Sequence, residues 1–199
     1  MEKDLIEESR KIAEKIIKSQ FRLTLAKYYL LWATFPLILY LLFYFNTAYP
    51  FLNYPIAVIG YLYYTFKIFS DLSKTVRRIE GARKPKMNKK FVIIYNSIWA
   101  IATALVIIGS DFDHPYLVLV GAVLFGGNYA WFIYLLLKKN TRDLHYYDSI
   151  AFIAFIGMLI SIGICVSLNI PVFRITWVPY TLAWIYASYA SYMEVIEGE

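Results

Sequence analysis

The chain has 199 residues, 60% of them hydrophobic and 19% aromatic, with a mean hydropathy of +0.52 and a net charge of +6. Soluble domains run at about 45–50% apolar and about 25% charged, and only 17% of this chain is charged; a soluble core of this size leaves roughly 30% of the unfolded surface in water. Lipid is needed to cover the surplus, which excludes an ordinary cytosolic enzyme, a disordered chain and, with Cys165 the lone cysteine, a secreted disulfide scaffold.

The expected fold class is an all-α polytopic membrane protein, with six transmembrane helices arranged as three hairpins and an amphipathic cytoplasmic helix before them. Residues 1–24 form that interfacial helix; residues 25–199 form the six-helix domain, with a basic cytoplasmic loop at 70–90. In Asp4–Arg22, the residues Leu5, Ile6, Ile12, Ala13, Ile16 and Ile17 recur at a helical period. Glu7/Lys11 and Glu14/Lys18 support the helix at i,i+4. Such a helix lies in the headgroup layer or docks on a partner protein. It is too charged for a signal peptide, so the first span is expected to act as the targeting signal.

Six apolar stretches are long enough to cross a bilayer, which takes about 20 residues. They are Tyr28–Phe45, Phe51–Phe69, Phe91–Gly109, Tyr116–Leu137, Ser149–Leu168 and Val172–Met193. The second carries Asn53, Pro55 and Lys67 and is the weakest. All but Arg174 of the twenty basic residues fall on one side of these spans. By the positive-inside rule that side is cytoplasmic, and both termini lie there, in what the sparse glutamine and cysteine suggest is a prokaryotic plasma membrane. Pro50, Pro115 and Pro171 mark the short outer turns. Spans two and four also align without gaps at an offset of 65 residues, as a duplicated two-span unit would.

Small residues recur at four-residue spacing in the later spans: Ala122, Gly126 and Ala130; Gly157, Ser161 and Cys165; Ala183, Ala187 and Ser191; and, more briefly, Ala100 and Ala104. Faces of this kind let helix backbones approach, within the chain or between chains. The intramembrane polar candidates are Asn96, Ser97 and Asn128. Asn96 and Asn128 reach a similar depth and are expected to hydrogen-bond across the third and fourth spans, because an unpaired amide in hydrocarbon is costly; lining a polar solute path is the alternative. The tyrosines supply interface anchors and bundle packing.

Little in the sequence points to chemistry. Ionisable residues are absent from the span interiors, with Asp148, Lys67 and Arg174 near span ends, which weighs against proton coupling and acid–base catalysis. His114 and His145 fall in loops, so neither suits an axial haem ligand. Asp111, Asp113 and His114, and Asp143, His145 and Asp148, are oxygen and nitrogen sets without the spacing of a zinc site. No phosphate loop or hydrolase motif occurs. No cofactor or metal is expected.

Arg77, Arg78, Arg83, Lys84, Lys86, Lys89 and Lys90 form the strongest charge cluster and are expected to meet anionic headgroups or an acidic partner. The basic balance is accounted for by topology, so nucleic acid is not an expected partner. The expected function is non-catalytic: a membrane-complex subunit or scaffold that engages a protein partner or forms a homo-oligomer. A passive channel or facilitator for a small solute is the alternative, and a membrane-embedded enzyme the third reading.

Overall fold

In the computed structural model, which describes residues 2–45, 52–80, 89–112, 114–140, 145–167 and 173–197, no strand occurs among the described residues. The helices are α1 (Glu2–Ala33), α2 (Phe35–Phe45), α3 (Asn53–Glu80), α4 (Lys89–Asp111), α5 (Pro115–Asn140), α6 (Tyr146–Ser167) and α7 (Phe173–Glu197). The first apolar stretch is divided between α1 and α2, and the described residues of the other five lie in α3 to α7, with Leu52 just ahead of α3. The helix is uninterrupted from Glu2 to Ala33, so the amphipathic segment and the start of the first apolar stretch are one element.

The break comes at Thr34, two residues before Pro36. Proline has no N–H to give to the carbonyl four residues back, which here belongs to Trp32. The Tyr180 hydroxyl on α7 donates to that carbonyl at 3.2 Å. Thr34 Oγ1 donates to the Leu31 carbonyl at 2.7 Å and lies 2.8 Å from the Tyr61 hydroxyl of α3. Two neighbouring helices thus hold the bend.

One helical run, Leu5–Phe45, contains a window long and apolar enough to cross a membrane, and 28% of that window is buried within the protein. It is the single such run among the described residues; the apolar segments Ile93–Val106, Pro115–Trp131 and Tyr146–Ser161 are shorter. The protein is therefore helical, with one candidate transmembrane helix near its N-terminus.

Packing follows a row, α4 on α5, α5 on α6, α6 on α7, α7 on α1, α1 on α3 and α3 on α2. Its core is aromatic. The Trp184 ring centroid lies 5.0 Å from that of Tyr180, 5.4 Å from Tyr29 and 5.7 Å from Tyr28, and Phe155 and Tyr129 close the cluster. Each such pair adds about 0.5–1.5 kcal/mol beyond its buried area. Polar edges of the core are paired across helices: Trp184 Nε1 donates to the Ala151 carbonyl at 2.8 Å, Ser188 Oγ to the Ala26 carbonyl at 2.8 Å, and Trp32 Nε1 to Thr65 Oγ1 at 3.0 Å.

Candidate functional site: a buried ionic cluster

Where α1, α6 and α7 meet, at the end of the bundle that carries the C-terminus of α7, charged side chains are buried together. Arg22 is 1% exposed. Its Nη1 donates to Asp148 Oδ2 at 2.7 Å. Its Nε lies 3.1 Å from Glu194 Oε2; this is an ion pair by distance, because the N–H is not aimed at that oxygen and makes no hydrogen bond. Nη2 has no hydrogen-bond partner. The guanidinium carbon sits 5.5 Å from the centre of the Tyr147 ring, a cation–π contact.

Asp148 is held from three sides. The Tyr29 hydroxyl donates to its Oδ1 at 2.7 Å, and the His145 backbone N–H donates to its Oδ2 at 2.9 Å. His145 immediately precedes α6, and its carbonyl accepts from the Asp148 N–H at 3.1 Å. The Asp148 side chain thus makes one half of a capping box, in which the third helical residue reaches back to the N–H of the residue that precedes the helix. A carboxylate in the first turn also meets the positive end of the helix dipole. Asp148 therefore starts α6 and fastens it to α1.

Glu194, near the end of α7, accepts a hydrogen bond from the Tyr147 hydroxyl, and its Oε1 lies 3.1 Å from His145 Nε2, again without an aligned hydrogen bond. His145 and Tyr147 stack at 5.3 Å with an interplanar angle of 10°. Burial, and after it the hydrogen bond to Glu194, raises the Tyr147 phenol above the ordinary tyrosine value, so it persists as a donor. One guanidinium faces two carboxyl groups. Every side chain with strong chemistry here is engaged by another, so the arrangement fastens three helices rather than presenting a nucleophile.

Sequence reasoning did not assemble this site. It placed Arg22 on an amphipathic surface helix, His145 in a loop and Asp148 near a span end. The available signal was positional: all lie at span ends on the same expected side, and His145 and Asp148 have the spacing of a helix start. The positive-inside count gives acids little weight and so passed over their pairing.

The expected Asn96–Asn128 hydrogen bond is not made. Asn128 is 4% exposed, and its Nδ2 donates to the Tyr95 carbonyl at 3.3 Å, leaving its Oδ1 unpaired. Asn96, one residue and about 100° further round α4, is exposed, as is Ser97.

Among the small residues, Ala122, Gly126, Ala187 and Ser191 are buried, Ala130, Ser161 and Ala183 are half-buried, and Cys165 is a buried free thiol. A Cβ on Gly126 would meet Leu159 at 3.0 Å, so α6 packs closely there. Gly157 is exposed with open space where a Cβ would be, and Ala100 and Ala104 are exposed, so the ladders are not continuous packing seams within the chain. Close approaches of α4 and α5 are instead at Gly121, where a Cβ would lie 2.7 Å from Val106 Cγ2 and 2.9 Å from the Ala102 carbonyl oxygen, and at Gly109, where it would lie 2.7 Å from the Val118 nitrogen.

Arg77 and Arg78 are exposed in the last turn of α3, beside the negative end of its dipole. Lys89 and Lys90 open α4. Arg83, Lys84 and Lys86 lie outside the described residues, as do Asp113 and Asp143 of the two oxygen and nitrogen sets. No group of three metal-ligating side chains is brought together among the described residues. No family model, curated protein or solved structure matches the chain.

Proposed function

We propose that this chain is a polytopic protein of the plasma membrane, non-catalytic, with its six apolar stretches as spans and both termini cytoplasmic. It serves as a subunit or scaffold of a membrane complex. Helices α3 to α7 have 22–28 residues each, above the about 20 residues a span requires. Large apolar side chains point outward from every helix, among them Phe45, Phe66, Ile93, Val123, Ile153 and Leu182, each more than 60% exposed. Soluble monomers rarely show contiguous apolar surface of that extent, whereas lipid-facing helices must.

The observation that carries the scaffold reading over passage is the filled centre of the bundle. Trp184 and Tyr180, at 1% and 2% exposed, occupy it, and the buried charges beside them are tied to one another. The unpaired Oδ1 of Asn128 favours the second reading, a passive path for a small polar solute along α4 and α5.

Purification in mild detergent tests the choice. A stoichiometric partner supports the subunit role, and a lone monomer or homo-oligomer that conducts in liposomes sinks it. Carbonate washing and reporter fusions test the topology: extraction without detergent, as for a soluble core helix, or an external C-terminus would overturn it.

A further inference from the structure

A groove of about 270 Å³ runs between α1 and α3, lined by Gln20, Thr24 and Lys27 on one side and Tyr64, Lys67 and Thr75 on the other. The two helices are antiparallel here, with Trp32 paired to Thr65 and Thr34 to Tyr61. This register brings Lys27 and Lys67 to the same level, at the cytoplasmic edge of the first two apolar stretches. Both lysines are exposed, and neither has an ion-pair partner among the described residues. The carboxylate that also lines the groove, Asp71, is engaged by Lys74 at 3.1 Å. Two lysines therefore line one polar recess, whose carboxylate, Asp71, is already paired with Lys74.

One turn beyond Lys27 stands Leu30, 53% exposed, and one turn beyond Tyr64 stands Gly60. A Cβ at Gly60 would touch nothing within 4 Å. An exposed apolar side chain on α1 and an open position on α3 thus lie beyond the lysine pair, towards the depth of the expected bilayer. A free anion needs only the lysines; a lipid uses this surface beyond them as well.

We infer that the α1–α3 groove is a binding site for one anionic phospholipid, its phosphodiester headgroup held between Lys27 and Lys67 and an acyl chain lying over Gly60 and Leu30. The inference rests on the membrane reading above and is separate from the diffuse attraction expected of the 70–90 loop. Each lysine near an anionic headgroup contributes modestly, and two together correspond to roughly 30-fold in affinity.

The test uses the full chain in mild detergent, titrated with dioctanoyl phosphatidylglycerol, dioctanoyl phosphatidylcholine or inorganic phosphate. Binding is read by native mass spectrometry and by the shift in thermal unfolding. The expected result is binding and stabilisation by phosphatidylglycerol, at least about tenfold weaker binding of phosphatidylcholine, and no protection by phosphate. Lys27→Gln with Lys67→Gln weakens phosphatidylglycerol about 30-fold. Gly60→Leu weakens it without lowering the unfolding temperature of the lipid-free protein, and Arg77→Gln with Arg78→Gln leaves it unchanged.

Equal binding of the two lipids, protection by phosphate alone, an indifferent lysine pair, an indifferent Gly60→Leu, or equal loss in the Arg77/Arg78 variant overturns the site. Release of the protein from membranes by carbonate overturns the membrane reading and the site together. Retention with indifferent lysines overturns the site alone.

Discussion

Replacing Arg22 by Met keeps most of the side-chain length and removes the guanidinium that contacts both Asp148 and Glu194. Asp148 then loses its 2.7 Å partner and Glu194 its 3.1 Å one. Removing one member of a buried pair typically costs about 3–5 kcal/mol, because the remaining charge stays buried and uncompensated. Asp148 retains donors from Tyr29 and His145, and Glu194 retains Tyr147, so the lower end, about 3 kcal/mol, is expected. At about 2–4 °C per kcal/mol for a chain of this size, Arg22→Met should melt roughly 6–12 °C below the parent. Cys165, the single cysteine and buried, supplies the assay: a thiol-reactive fluorogenic dye reports its exposure as the bundle opens. Neutralising the stranded acids with Asp148→Asn and Glu194→Gln in the Arg22→Met background should recover part of the loss, since uncompensated charge is what destabilises. An Arg22→Met protein melting within about 2 °C of the parent, or a triple variant less stable than the single one, would refute the cluster as the fastening of α1, α6 and α7.

The bend in the first helix gives a second prediction. Tyr180→Phe strands the Trp32 carbonyl that Pro36 leaves free and should cost about 1–2 kcal/mol in thermal unfolding. With Pro36→Ala restoring a backbone donor, the same change should cost less than half as much; equal costs would break the link. Gly121→Ala should separate α4 from α5 and destabilise by about 1–3 kcal/mol, while Gly127→Ala and Gly157→Ala, which meet nothing within 4 Å, should be neutral or gain up to about 1 kcal/mol of helix propensity. The three melting temperatures decide it. The Tyr147 phenol holds its proton more tightly when folded than unfolded, so its contribution is complete below the unfolded value of about 10 and is lost as pH rises through the higher folded value. Tyr147→Phe should therefore flatten the alkaline limb of a stability–pH profile and leave its neutral region parallel to the parent's.

The helices were legible because long apolar runs leave few alternatives: the described residues of the six stretches are helical, and Pro36 marks the break within the first. What links the helices was not legible, and Asn128 shows why. A depth estimate put it level with Asn96, but partner choice depends on rotation about the helix axis, and one residue of rotation replaces the Asn96 side chain with the Tyr95 carbonyl. The partners of the small-residue ladders were hidden for the same reason. Four-residue spacing defines a stripe without saying which neighbour it faces, so Gly126 meets Leu159 while Gly157 faces open space. The ionic cluster was hidden by sequence distance, since Arg22 and Asp148 are 126 residues apart, and by a topology rule that treats cytoplasmic acids as bystanders.

The position of Arg22 within α1 gives the cluster a mechanical consequence. From Leu5 to Ile16 the helix is almost wholly exposed, and its apolar stripe, with Leu5, Ile6, Ile12 and Ile16 each more than 40% exposed, has nothing packed on it among the described residues. Burial begins at Phe21 and Arg22. A projecting helix of about twelve residues is marginal by itself in water, and it pivots freely unless its root is fixed. Arg22 fixes that root to α6 and α7 at once, one residue after the first buried side chain. The projecting stripe is therefore held at a set angle to the bundle. Loosening the cluster should free the projection before it unfolds the bundle, because the aromatic contacts of Tyr28, Tyr29 and Trp184 lie beyond Arg22 along the helix and remain in place.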